Sequence, residues 1–444
     1  MSLPPKETPL GAMRFNSDSQ KLEYWMGSAW MQIQTFSPNL DGGVRGVWAG
    51  GRIPAPSFHN NIDFIALAAG GSTSDFGDLS QARGMGNAFG SRTKGFFMGG
   101  QGNSPNVYND RSDSIVFAST GNATDFGNTQ TSLIGPFGLS NATRGIYGGG
   151  GTPGNGRLNE MGYITMSSEG NFIDFGDLVG GVYGSDGVAS PVRGVVSGGQ
   201  QPSTSASNII QFITIATTGN ATDFGNLSSS LREMCGSSNQ TRAIAFGAYD
   251  DPAATQRDVI DYVTIASTGN AVDFGNLLTA AYAHGKGICA SPTRGIISGG
   301  QYSGTPAANT IQFVTFSTTG NAVDFGDMIQ VHRDHGSGGN STRGIFCGGS
   351  GNSDQRTNVI DFITIATLGN SIDFGDNPSA NKTSQCASAS SPTRMVTSGG
   401  NLATGTVNTM HFVEIATTGD SQDFGDLQTL GEVGNAVSSG HGGL

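Results

Sequence analysis

A chain of 444 residues with 71 glycines, 13% charged side chains and a net charge of −12 is rich in turn formers and poor in the residues that build long helices. Glycine does not recur at every third position, which excludes a collagen-type fibre, and no Lys/Arg cluster offers nucleic acid or an anionic membrane surface a basic footprint. No apolar run reaches the ~18 residues that span a bilayer, and Met1–Leu10 lacks the apolar centre of a signal peptide.

Residues 1–42 form the first element, expected as an N-terminal arm of two or three short strands around an Asn16-Ser17-Asp18-Ser19 turn. Phe15, Leu22, Tyr24, Trp25 and Trp30 crowd into this short stretch. So little chain cannot bury them alone. They are the expected attachment residues, covered by the rest of the chain, by another protein or by a copy of the arm.

From residue 43 a repeat takes over. Asp-Phe-Gly begins at Asp75, Asp125, Asp174, Asp223, Asp273, Asp324, Asp373 and Asp423. Its phenylalanines, Phe76, Phe126, Phe175, Phe224, Phe274, Phe325, Phe374 and Phe424, are expected to be structural and to lie between repeats. Four residues before each Asp stands a glycine, followed in most copies by Asn, as in Gly320-Asn321. Gly-Asn between two apolar runs predicts a tight hairpin turn with positive φ. The preceding run, such as Thr310-Ile311-Gln312-Phe313-Val314-Thr315-Phe316, predicts a strand buried on both faces. Its aromatic recurs as Phe64, Tyr163, Phe212, Tyr262, Phe313, Phe362 and Phe412, with Ser114 the exception.

A second landmark alternates with the first: a basic residue, a few apolar ones, then Gly-Gly, as in Arg294-Gly295-Ile296-Ile297-Ser298-Gly299-Gly300. The basic residue recurs as Arg45, Lys94, Arg144, Arg193, Arg242, Arg294, Arg343 and Arg394. A run of small residues before it, such as Gly287-Ile288-Cys289-Ala290-Ser291, predicts a further strand in a tight space. Four strands per unit, eight times over, is the pattern of a propeller. The first unit lacks its small-residue strand, because Ser37 to Gly43 does not match. Gly434-Asn435-Ala436-Val437-Ser438-Ser439 does match, so the C-terminus is expected to complete the first blade and leave no open edge. The expected fold is all-β: an eight-bladed β-propeller over 43–444, closed by a C-terminal strand, with a β-rich arm over 1–42.

These units resemble kelch repeats, with the phenylalanine of Asp-Phe-Gly where the family carries a tryptophan. The stretch Gly11-Ala12-Met13-Arg14-Phe15-Asn16, with Leu22-Glu23-Tyr24-Trp25-Met26-Gly27-Ser28-Ala29-Trp30, resembles a segment of phage tail-fibre and virion-appendage proteins. Repeats of the Thr-Gly-Asn-Ala-x-Asp-Phe-Gly type are similar to those of marine phage structural proteins. The resemblance implies a structural protein of a phage particle, made in the host cytoplasm. Through its arm it would bind other virion proteins, or its own copies, and through its blades a host cell-surface glycan. Two further readings stand beside it: a glycan-binding or glycan-modifying receptor propeller, and a cellular kelch-type scaffold.

No chemistry-bearing constellation competes with this. Asp-Phe-Gly binds magnesium in protein kinases, but here it comes eight times without a catalytic loop or nucleotide loop. The recurrent arginine is expected to tie neighbouring strands. His284 and His335 occupy equivalent positions and are the one candidate for a shared metal. Cys235, Cys289, Cys347 and Cys386 form no CxxC and read as small, reduced core residues. The acids outside the repeat pattern, Glu160, Asp186, Glu233, Asp250, Asp251 and Asp334, are scattered over different units. The chain reads as a non-enzyme, with no catalytic, cofactor or metal residue assigned.

Overall fold

Strand is what the β-branched and aromatic runs form throughout. The computed structural model describes residues 9–16, 21–32, 45–52, 57–66, 74–427 and 435–438, less 92, 104–106, 142, 155, 169, 190–191, 203–205, 233–234, 239–240, 251–254, 283–288, 292, 303–306, 353–354, 379–381, 385–386, 391–392 and 403–404. Among the described residues there is no α-helix; the chain is all-β. It divides into two compact units, Met1–Leu40 and Asp41–Leu444.

In the larger unit each repeat contributes four antiparallel strands. The sixth set is typical: Cys289–Ala290, Arg294–Ser298, Ala308–Thr315 and Val323–His332, in that spatial order. Six sets are separate four-stranded sheets. The fourth and fifth are joined where Leu231 and Arg232 pair with Asp250 and Tyr249. In the first set the leading strand is Asn435–Ser438, which pairs with Arg45–Arg52 through Gly46↔Ser438, Val47↔Val437, Trp48↔Ala436 and Ala49↔Asn435. The two ends of this unit therefore share one sheet. Leading strands of neighbouring sets also bond sideways: Asn87 Nδ2 donates to the Pro136 carbonyl at 2.7 Å, and Ser388 Oγ to that of Ser337 at 2.7 Å. A larger residue would hold these strands apart, which accounts for their small-residue composition.

Each letter of Asp-Phe-Gly has its own task. The strand carries a β-bulge: in the sixth set Gly326 pairs with Ile311 and Asp324 with Gln312, leaving Phe325 as the extra residue. The bulge turns the phenylalanine inward, and all eight are buried at 2–3% exposure. The Asp carboxylate holds the bulge by accepting the N–H of the glycine two residues on, as from Gly275 to Asp273 Oδ1 at 2.9 Å. The glycine lets the next repeat approach. A Cβ on Gly275 would sit 2.4 Å from the Gly320 carbonyl carbon, and its φ is +141°.

The Gly-Asn pair differs here from its expected role. It does not form a two-residue turn; residues 316–322 connect Ala308–Thr315 to Val323–His332. Gly-Asn reaches out of its own hairpin and clasps the preceding set. Gly320 N–H donates to the Phe274 carbonyl at 2.6 Å, Ala322 N–H to that of Asn276 at 2.8 Å, and Asn321 Oδ1 accepts the Asn276 N–H at 3.0 Å. The same three-bond clasp joins the first set to the second through Asn122, and recurs down to Asp420 on the seventh. Gly71-Ser72, which would complete the series, lies outside the described residues.

A second inter-set bond runs to a buried acceptor. The amide five residues after each Asp needs an acceptor, and the residue twelve before the next Asp supplies it. Ser80 N–H goes to Asp113, Val179 to Gln211, Ser228 to Asp261, Leu278 to Gln312 and Ile329 to Asp361, at 2.8–3.1 Å. In the third set that position is Gly162. There the Tyr147 hydroxyl accepts the Gln130 N–H at 3.0 Å, and its ring fills the space beside Gly162. In the seventh set the donor position is Pro378, which has no N–H, and the facing residue is His411. Between the first two sets the acceptor Asp113 also holds Arg83, fully buried, at 2.8 Å. Burial draws the guanidinium down from its usual value, and Asp113 opposes that shift.

Two outcomes follow from these junctions. Gly275→Ala should cost ~1–3 kcal/mol from its backbone conformation alone, before the clash is counted, whereas Gly180→Ala, with nothing within 4 Å of an added Cβ, should change stability by under about 0.5 kcal/mol; urea denaturation compares the two. Asp113→Ala should destabilise by ~3–5 kcal/mol because Arg83 is left as an uncompensated buried charge. Arg83→Val with Asp113→Gln reproduces the pair found at the third junction, Val182 and Gln211, and should recover most of that loss in the same assay.

Candidate functional site

The smaller unit is a three-stranded antiparallel sheet, β1 (Met13–Asn16), β2 (Lys21–Trp25) and β3 (Trp30–Gln32), in the order β1-β2-β3. Its register sorts the side chains. Met13 pairs with Tyr24 and Tyr24 with Met31, so the three form one cross-strand row. They are exposed at 60%, 36% and 44%. Leu10 and Met26 are exposed as well. The neighbouring row is Arg14, Glu23 and Gln32. There Glu23 is buried and receives Arg14 Nε at 2.9 Å. Trp30 lies under the Arg14 guanidinium at 4.2 Å and against Trp25 at 5.4 Å. One row is thus closed by an ion pair, while the other presents thioethers and a phenol to solvent.

Of the five residues expected to attach, Tyr24 is on the open row, and Trp25 and Trp30 are half-buried against each other. Phe15 and Leu22 pair in register; their side chains, like the polar turn at residues 17–20, lie outside the described residues. Met13 and Met31 carry no signal in the sequence, where the aromatics Trp25 and Trp30 dominate the stretch. Their place opposite Tyr24 could have been found only from the pairing register.

In the larger unit the recurrent arginine ties strands across a junction. Arg294 Nη1 donates to the Ile365 carbonyl of the next set at 2.8 Å, and Arg144, Arg193, Arg242 and Arg343 do the same at 2.7–3.0 Å. Each guanidinium also covers the aromatic of its own repeat, as Arg294 covers Phe313 at 4.6 Å. That aromatic meets the Asp-Phe-Gly phenylalanine edge-on; Phe313 and Phe325 are 5.9 Å apart at 86°. The second repeat lacks both partners, with Lys94 and Ser114 in their places. There Phe96, in register with Ser114, packs edge-on against Phe126 at 5.1 Å.

The other candidates resolve singly. His335 is buried beside His332, and the expected partner His284 lies outside the described residues. Cys347 is buried with Asn377 Nδ2 at 3.1 Å from its sulfur; Cys386 and the side chains of Cys235 and Cys289 lie outside the described residues. Glu160 accepts from Tyr147 at 2.8 Å and Thr131 at 2.6 Å, and burial, then Glu160, pushes the Tyr147 phenol up. Among the described residues no three His, Cys, Asp or Glu side chains gather as a metal site would require. No protein-family model matches the chain, and no curated protein matches it.

Proposed function

We propose that the chain is a structural protein of a phage particle: a closed eight-bladed, kelch-like propeller carried by an N-terminal attachment arm. The observation that carries the reading is the contrast between the two units. The strand sets satisfy one another: among the described residues the outer strands of the first seven sets are each clasped by the next repeat, and the first set is completed by Asn435–Ser438. Such a body needs no partner for its backbone. The arm leaves Met13, Tyr24 and Met31 open, and apolar or aromatic rows of this kind anchor interfaces. Binding belongs to the arm, and the propeller is the disc it displays. Resemblance to virion appendage segments assigns the arm's partner to the particle, and the disc then faces the medium and a host-surface glycan.

Closure and attachment are tested separately. Deleting residues 434–444 removes the strand paired with Arg45–Arg52, exposing a sheet edge and its apolar faces, so the protein should become insoluble or melt far lower; an unchanged melting temperature would overturn closure.

Deleting residues 1–42 should leave a folded disc that melts like the full chain yet no longer enters particles. Incorporation of that truncated protein at normal copy number would sink the assignment of attachment to the arm and place docking on the blades.

A further inference from the structure

His332 ends the strand Val323–His332, and His335 follows three residues later, where the sixth set meets the seventh. Both side chains are buried, at 0% and 1% exposure, with ring centroids 6.2 Å apart. His335 Nε2 lies 3.0 Å from Ser298 Oγ of the sixth set, and its ring packs edge-on against Phe346 of the seventh at 5.7 Å. The segment joining the two histidines knits the sets together. The His332 carbonyl accepts the Gly300 N–H at 3.3 Å, and Arg333 and Ser350 exchange backbone hydrogen bonds at 2.9 and 2.8 Å. Asp334 between them has φ +53°, a left-handed conformation held by this knot.

Imidazole is not what packing requires here. Among the described residues the carbonyls that make the corresponding bond elsewhere belong to Leu133 (to Gly100), Val182 (to Gly150) and Leu231 (to Gly199), all buried and apolar, to Thr383 (to Gly349), and to Arg83 (to Gly51), whose charge Asp113 meets. The position equivalent to His335 is Ser185 in the third repeat and His284 in the fifth. No other repeat places two imidazoles at these two positions.

We propose that the His332–His335 pair is an acid-operated latch: neutral, it closes the junction between the sixth and seventh sets; protonated, it opens that junction before the others. Two cations so close together in a water-free contact cannot both be accommodated. Burial lowers His332 to about 4, and the Gly348 backbone offsets this only in part. The charged groups on the surrounding strands are Arg294, Asp324, Asp327, Arg343, Asp361, Asp373 and Asp376, with Arg333, Asp334 and Arg356 in the connecting segments. None of them contributes to the shift of His332. An imidazole whose folded pKa lies below its unfolded value stabilises the fold above about 6.5, and that stability drains away as pH falls toward 4. Asp361, which accepts the Ile329 N–H from the same strand, works in the opposite direction: burial raises it to about 6, so its contribution is full below about 3.8 and lost as pH rises through 6.

The full-length protein tests this through variants taken from its own repeats, His332→Leu and His335→Ser, with Asp361→Asn to remove the opposing titration. Melting temperatures are measured near pH 7 and near pH 4.5. The drop between the two should be smaller in His332→Leu than in the parent by roughly 3–5 °C, and larger in Asp361→Asn. Hydrogen exchange near pH 4.5, corrected for intrinsic rates, should show Gly300, Arg333 and Ser350 losing protection while Gly150 and Gly199 keep it. An unchanged pH response in His332→Leu, or an even loss of protection at every junction, would overturn the latch. If His332→Leu does not fold, His335→Ser and the exchange profile of the parent protein decide the question alone.

Discussion

The constraint on which the larger unit depends is the approach of two backbones at each junction, the Asp-Phe-Gly glycine against the next repeat's Gly-Asn. With a Cβ on Gly275 only 2.4 Å from Gly320, no other residue fits. That approach permits the three-bond clasp, each bond worth about 0.5–1.5 kcal/mol net. It also fixes the spacing at which the phenylalanine can fill the gap and the arginine can reach a carbonyl one repeat on. A junction set wider would lose the clasp, the edge-on aromatic pair and the arginine tie together. The repeat length of 49–51 residues between successive Asp positions is the length that returns this geometry to its starting point.

Much of this was legible in the sequence because a repeat is its own alignment. Asp-Phe-Gly, the aromatic, the arginine and the completing C-terminal strand all recur at fixed positions, and the all-β class follows from their composition. The role of Gly-Asn was misjudged for a physical reason. Positive φ at glycine signals a turn when the chain is considered alone, but Gly320 has φ +150° with open space around its own Cβ position. It serves as a platform for a different strand, and local rules do not see neighbours. The arm was legible in its aromatics and illegible in its methionines, since which face Met13 and Met31 share is set by pairing and not by composition.

The buried acceptor twelve residues before each Asp was missed because its chemistry changes from copy to copy. Asp113, Gln211, Asp261, Gln312 and Asp361 are different residue types with one function, to accept the amide of the preceding set from a buried position. The exceptions carry the proof of that function. Gly162 is tolerated because the Tyr147 hydroxyl arrives from the adjacent strand to take the Gln130 N–H, and its ring occupies the space a side chain there would need. His411 faces Pro378, where there is no N–H to satisfy. The requirement is for an acceptor opposite a donor, and residue identity is free once that is met.

The same logic separates compensation from surplus along the whole repeat. Lys94 and Ser114 depart from the pattern together, and Phe96 restores the aromatic contact to Phe126 that the missing ring would have made. Arg83 stands where Leu133, Val182 and Leu231 are apolar, and Asp113 is there to meet its charge. Each of these changes has a partner that repairs it, as expected where one junction must keep the geometry of the others. Drift in a junction leaves paired changes of this kind, because an uncompensated buried polar group costs more than a marginally stable fold can lose. The His332–His335 site follows a different rule. Ser298 meets one ring, but no residue on the adjoining strands offers His332 a charge that would favour its protonated form. Burial holds His332 neutral, so the stability of the site depends on pH.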